Sequence, residues 1–219
     1  MSMQFFCEIL GTIAFAISGA MSGVVHRMDI FGIVVLGVVT ALGGGFMRDV
    51  ILNINPPSLF TSPVCPTLAI LTSLCVFCEI KYRVDANIFI SKEKFKQVLN
   101  ISDAIGLGMF TAIGVNVDIM AGYGHYAAFT VFLGVLTGVG GGVIRDVLAG
   151  VTPKILRKQI YACASIAGAI AYRLLMDYVT QDLAMLLCAL LVTIIRIAAY
   201  EYEWDLPTIG YRVKRTKKA

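Results

Sequence analysis

The chain has 219 residues, of which 58% are hydrophobic and only 15% charged, with a formal net charge of +4 and a mean hydropathy of +0.82. An ordinary soluble domain carries about 25% charged residues, so this composition argues against a soluble enzyme or a nucleic-acid-binding domain, and its apolar content excludes intrinsic disorder. A polytopic membrane protein remains, with room for about six to eight spans of roughly 20 residues each.

Long apolar runs predict seven transmembrane helices in an all-α protein, over residues 5–25, 30–51, 64–82, 102–121, 126–149, 159–178 and 183–200. Each run is continuous rather than alternating, which fits helices and not barrel strands. The N-terminus has neither a basic region nor a small-residue cleavage site, so the first run is expected to be retained as a span. Short turns such as Asn53-Ile54-Asn55-Pro56-Pro57 and Gly122-Tyr123-Gly124 separate the runs. The one long connection predicted, 83–101, carries Lys92, Lys94 and Lys96.

Placing the N-terminus outside puts fourteen of the 18 Lys and Arg residues on the inner side and none in the outer loops. The inner set includes Arg27, Lys81, Arg83, Lys154, Arg157 and Lys158, and the tail residues Arg212, Lys214 and Arg215. The positive-inside rule therefore predicts N-out, C-in. The other four, Arg48, Arg145, Arg173 and Arg196, fall within spans.

The chain also repeats itself. Leu36 to Val50, containing Gly43-Gly44-Gly45 and Arg48-Asp49, recurs 97 residues later as Leu133 to Val147, containing Gly140-Gly141-Gly142 and Arg145-Asp146. Upstream, an offset of 95 pairs Glu8 with Asp103, Gly11 with Gly106 and Phe15 with Phe110. Three spans match the next three, and three is odd, so the second copy must enter the membrane from the opposite side. The predicted organisation is a first three-helix repeat (1–82), a cytoplasmic connection (83–101), an inverted second repeat (102–178), a seventh helix (179–200) and a basic cytoplasmic tail (201–219).

Transport proteins commonly place their pathway at such a repeat interface. Each glycine inside a helix costs about 1 kcal/mol relative to alanine, so two triplets mark either close helix packing or a kink or unwinding beside a pore. A buried charge costs at least ~2.5 kcal/mol in hydrocarbon. Arg48, Asp49, Arg145 and Asp146 are therefore read as facing protein, water or headgroups, in roles of stapling the helices or guiding ions. Adjacent residues on a helix do not face one another, so each is expected to find its partner elsewhere. Glu8 and Asp103, at first-turn positions of spans one and four, would attract cations to each mouth or interact with their own helix dipoles. Thr40 and Thr137 either line a hydrated path or bond back to their own helix. Cys75-x-x-Cys78 sits in an apolar span with no second pair, so no structural metal site is expected, nor any cofactor or nucleotide loop. Lys154, Arg157, Lys158, Arg212, Lys214 and Arg215 are candidate contacts for anionic lipid or simply a solvated, topology-setting face.

The paired Gly-Gly-Gly-x-x-Arg-Asp strings, each in a Gly-rich span and each followed by Pro, resemble the prokaryotic branch of the trimeric intracellular cation channel family. Some members of that duplicated membrane family carry a glycine-transporter label. The resemblance covers about residues 5–200. It implies a homotrimer in the cell inner membrane, each protomer with its own pore for K+ or Na+. It also implies that Gly43, Gly44, Gly45, Gly140, Gly141 and Gly142 bend spans two and five around that pore. By the same resemblance, Arg48, Asp49, Arg145 and Asp146 flank it, and nearby basic residues bind lipid. Glu8 departs from the aspartate expected there, and the basic–acidic lipid motif of animal members is missing in recognisable form. The reading is a passive, loosely selective cation channel, against a secondary carrier for glycine or another small zwitterion, or a structural or lipid-scrambling membrane protein with no ion path.

Overall fold

The computed structural model describes residues 2–86, 88, 91–157 and 160–204, Arg157 by its backbone only. The described chain is all helical: α1 (Met3–Val25), α2 (Ile30–Ile51), α3 (Ser58–Thr61), α4 (Val64–Asp85), α5 (Lys92–Met120), α6 (Ala127–Leu148), α7 (Lys154–Arg157), α8 (Ile160–Leu175) and α9 (Gln181–Glu201). Six of them, α1, α2, α4, α5, α6 and α9, are long and apolar enough to cross a membrane. The sixth predicted span corresponds to α8, which has 16 residues and is therefore about 24 Å long, short of a hydrocarbon core of about 30 Å.

Helix ends follow local chemistry. Ser2 Oγ accepts the Phe5 amide at 3.3 Å and Asp29 Oδ1 the Gly32 amide at 2.7 Å, capping α1 and α2. Five left-handed residues follow helix ends: Arg27 (φ 55°) after α1, Asn53 (φ 54°) after α2, Gly122 (φ 90°) after α5, Gly150 (φ 70°) after α6 and Glu203 (φ 50°) after α9. Arg27 and Gly122 are 95 residues apart, and Asn53 and Gly150 are 97 apart, so each pair occupies repeat-related positions.

The long connection predicted over 83–101 is not formed. α4 runs on to Asp85 and α5 begins at Lys92, leaving a short link. Hydropathy marks only the apolar part of a helix, while Lys92, Glu93, Lys94 and Lys96 are good helix formers that extend α5 outward. Asp103 consequently lies in the middle of α5 rather than in a first turn, and Glu8 lies in the second turn of α1. A helix-dipole role for either is thereby removed.

α1, α2, α5 and α6 form the centre; α4 packs on α1 and α2, α8 on α5 and α6, and α9 on α5 and α8. Contacts across the centre are reciprocal. Gly11 sits against Phe110 and Gly106 against Phe15, and the two rings stack with centroids 5.4 Å apart. Gly44 abuts the carbonyl oxygen of Thr137 and Gly141 that of Thr40, so closely that a Cβ at either would overlap the oxygen. Gly43 meets Ile144 and Gly140 meets Met47. α2 and α6 remain helical through both glycine triplets. The unwinding considered from sequence does not occur, because the glycines are used for backbone contact between the two helices, which offsets their poor helix propensity. Large apolar side chains such as Phe31, Phe132 and Ile194 point outward, where lipid would cover them.

Candidate functional site

Two charged clusters occupy repeat-related positions near the ends of α2 and α6. In the second, Arg145 Nη1 donates to Asp103 Oδ1 at 2.5 Å and to Ser18 Oγ at 2.7 Å, while Arg145 Nε donates to Asp146 Oδ1 at 2.9 Å. Ser18 Oγ donates to Asp103 Oδ1 at 3.1 Å. Lys154 adds its Nζ to Asp103 Oδ2 at 3.3 Å, and its backbone amide to Asp146 Oδ2 at 2.8 Å. Asp103 is 0% and Arg145 1% exposed, so two acids and two bases are held in a setting where charges survive only when paired and hydrogen-bonded. The Arg196 guanidinium lies 4.6 Å from the Tyr161 ring centroid. The Tyr161 hydroxyl and Arg145 Nη2 both lie beside Gly142.

In the first cluster, Arg48 gives both Nε (2.8 Å) and Nη2 (2.6 Å) to Asp49 Oδ1, and Asp49 Oδ2 accepts the Ser58 amide at 2.7 Å. Glu8 Oε1 accepts from Gln4 Nε2 at 2.9 Å. The expectation that neighbours in sequence do not pair is corrected in both clusters. It holds for short side chains, but the long arginine arm turns its guanidinium back onto the next residue at the helix end.

Cavities flank these clusters. One of about 270 Å³ is lined by Glu8, Thr12, Gly45, Arg48, Asp49 and Ser58 among others, and an adjoining one of about 380 Å³ shares Glu8, Arg48 and Ser58. Another of about 320 Å³ is lined by Ser22, His26, Lys96, Arg145, Asp146 and Lys154. Glu8 and Ser22 are fourteen residues apart on α1, or about 21 Å, so the two groups of cavities lie at opposite ends of the core. Between them stand the Phe15–Phe110 stack and the Asp103–Arg145 cluster.

Several sequence-derived candidates find other places. Thr40 and Thr137 are fully buried and bond back to Leu36 O at 2.5 Å and Leu133 O at 2.7 Å; they support the α2–α6 crossing and line none of these cavities. Of the six triplet glycines, Gly45 lines a cavity. Lys154, expected to face lipid, instead turns inward to Asp103, because α7 carries its amide and its ammonium to the acids of α6 and α5. A quarter of its side chain is exposed; burial, first, and then Arg145 push its ammonium down to about 8 against the pull of Asp103. Lys158, Arg212, Lys214 and Arg215 lie outside the described residues, as does the side chain of Arg157.

Sequence reasoning did not connect Ser18 or Tyr161 with these charges. A serine on a small-residue face carries no signal of its own. Only the crossing of α1, α5 and α6 brings it to Arg145.

Comparisons with known proteins agree with this architecture. The family described as "Glycine transporter" matches residues 5–80 and 100–177. The UPF0126 inner membrane protein YadS of Escherichia coli (strain K12) is 39% identical over 212 residues, covering 95% of this chain and 97% of YadS. The UPF0126 membrane protein YvgT of Bacillus subtilis (strain 168) is 31% identical, covering 94% and 96%. A structure solved for conductance through TRIC cation channels superposes with a TM-score of 0.81 at 36% identity, over 95% of this chain and 98% of that one. The TRIC trimeric intracellular cation channel orthologue from Rhodobacter sphaeroides gives 0.81 at 29% identity, over 93% and 100%. None of these relatives is named as an enzyme. The chain is a multi-pass inner-membrane protein with the TRIC-like fold, and it belongs to the UPF0126 glycine-transporter family.

Proposed function

We propose that the chain is a channel for monovalent cations, K+ or Na+, with a path inside each protomer between two inverted three-helix repeats. One observation carries the reading: cavities lined by repeat-related charges open at opposite ends of a single core of α1, α2, α5 and α6. Solved structures at 29–36% identity described as cation channels support it. Glu8, Thr12, Arg48 and Asp49 line one mouth; Arg145, Asp146 and Lys154 line the other, which their pairing with one another and with the buried Asp103 closes. Opening requires the Asp103–Arg145 contact and the Phe15–Phe110 stack to part. Selectivity is loose, since the sequence carries no ring-forming filter motif like that of strongly potassium-selective channels.

In this reading residues 1–82 and 102–178 are the inverted repeats, 83–101 and 201–219 face the cytoplasm, and 179–200 is the appended seventh helix. N-out, C-in rests on the one-sided distribution of Lys and Arg. Self-association as a homotrimer rests on the relative described as trimeric. Anionic lipid is the partner for the basic inner face.

The family description favours a second reading, a glycine carrier. A zwitterion needs a guanidinium free to take its carboxylate, yet Arg48 and Arg145 are each already bonded to an aspartate. The channel is the better fit. Purified protein in a planar bilayer under a KCl gradient tests it: unitary currents reversing near the K+ equilibrium potential are expected. Silent bilayers with saturable glycine uptake into proteoliposomes would establish the carrier instead.

A further inference from the structure

The two halves of the chain treat their repeat-related acids differently. Asp103 has two cations on it, Arg145 Nη1 at 2.5 Å and Lys154 Nζ at 3.3 Å. Glu8, its mate, has a hydrogen bond from Gln4 and, among the described residues, no ion pair. Arg48, the mate of Arg145, is committed to Asp49 through two nitrogens. The position of Lys154 is also matched: it opens α7 and its amide caps Asp146, just as Ser58 opens α3 and its amide caps Asp49. The first half therefore has a corresponding acid, a corresponding short helix and an aspartate that accepts the same kind of backbone amide. It lacks the ammonium, and a cavity of about 270 Å³ borders Glu8 and Ser58.

The wall of that cavity supplies a second, independent feature. Thr12 lies one turn along α1 from Glu8, is 1% exposed, and its Oγ1 has no hydrogen-bond partner of good geometry among the described residues, with only the weakly polar Cys65 thiol beside it. Burying a hydroxyl without a partner is costly, and its lone pairs are suited to a cation beside a carboxylate. Arg48 and Asp49 cancel, leaving Glu8 as one net negative charge. A Ca2+ site draws on six to eight oxygens, commonly from several carboxylates, so one acid with neutral oxygens suits a single charge. The volume holds an ion with several waters at about 30 Å³ each.

We propose that this cavity binds one monovalent cation between the Glu8 carboxylate and the Thr12 hydroxyl, with Ser58 at its rim. The ion there takes the part that the Lys154 ammonium takes in the other half. The proposal deepens the cation reading above by naming where the ion rests.

Crystals of the full chain grown in a thallium salt, read by anomalous diffraction, test occupancy without requiring transport, and unitary conductance against K+ concentration tests use. A Tl+ peak between Glu8 and Thr12 is expected, lost in Glu8→Gln and Thr12→Val and kept in Glu8→Asp. Ser58→Lys is expected to expel it, since its ammonium would occupy the same place. In Glu8→Gln the K+ concentration for half-maximal conductance should rise about tenfold, the equivalent of one lost charge contact. A Tl+ peak with silent bilayers upholds the site and removes the channel. Currents without a Tl+ peak in the cavity, or with half-saturation unchanged in Glu8→Gln, overturn the site and leave the channel standing. Thermal melting of each variant in detergent separates loss of the site from loss of the fold.

Discussion

Arg145 on α6 reaches Asp103 on α5 at 2.5 Å, with both side chains sealed from solvent. Removing one member of such a pair strands the other in low dielectric. Asp103→Asn or Arg145→Met alone is expected to destabilise the protein by about 3–5 kcal/mol. The joint variant should cost less than the two losses added together, because the partners are coupled. Glu8→Gln, the repeat-related change at an acid without an ion pair, should leave the melting temperature near that of the parent. Chemical or thermal unfolding in detergent decides it.

The α2–α6 crossing makes a sharper contrast within one triplet. Gly44→Ala and Gly141→Ala each drive a methyl into a carbonyl oxygen of the facing helix and should cost about 1–3 kcal/mol through overpacking. At Gly45 the nearest atom to an added Cβ is Arg48 Nη2, 3.8 Å away. Gly45→Ala should therefore be neutral or stabilise by up to about 1 kcal/mol from helix propensity. If all three alanines melted alike, backbone contact would not be the reason for the glycines.

Arg27 holds a left-handed conformation that its repeat mate Gly122 adopts freely. A side-chain-bearing residue there costs roughly 1–2 kcal/mol, and Arg27 is exposed and, among the described residues, makes no ion pair. Arg27→Gly should raise stability by about 1 kcal/mol, and Gly122→Ala should lower it by a similar amount. Melting curves of the two single variants are the check.

The lowered Lys154 ammonium, at about 8 against an ordinary 10.5, gives a pH dependence. Between those values the unfolded chain binds more protons at this group than the folded one. Stability contributed by Lys154 therefore rises from about pH 8 to 10.5 and is at its lowest below pH 8. The charges that face it are Asp103, Asp146 and Arg145. Loss of its proton loosens the closed mouth and removes a positive charge from it, so cation current should grow as pH rises through 8. Lys154→Met should abolish that step while leaving a current at both pH values, measured in symmetric KCl.

Much of this architecture is legible in the sequence alone. Continuous apolar runs locate the long helices, and the duplicated Gly-Gly-Gly-x-x-Arg-Asp string singles out α2 and α6 and four of the clustered charges, while leaving open whether the glycines kink the helices or pack them. The start of α5 was missed because its first turns are polar, and α3 and α7 because four-residue helices have no hydropathy pattern. The partner of Asp103 could not be read either: Ser18, Arg145 and Lys154 come from α1, α6 and α7 and meet only after packing. Most hidden was the correspondence of Ser58 with Lys154, which the 97-residue offset misses by one position.

Because Gly44 touches Thr137 as Gly141 touches Thr40, and Gly11 meets Phe110 as Gly106 meets Phe15, a saturation scan of this chain contains its own replicate. Fitness scores from the first half should forecast those 95 or 97 residues later wherever the fold is all that selection sees. Pairs whose scores diverge mark where the two copies have been put to separate use. That self-comparison locates working residues from a single chain.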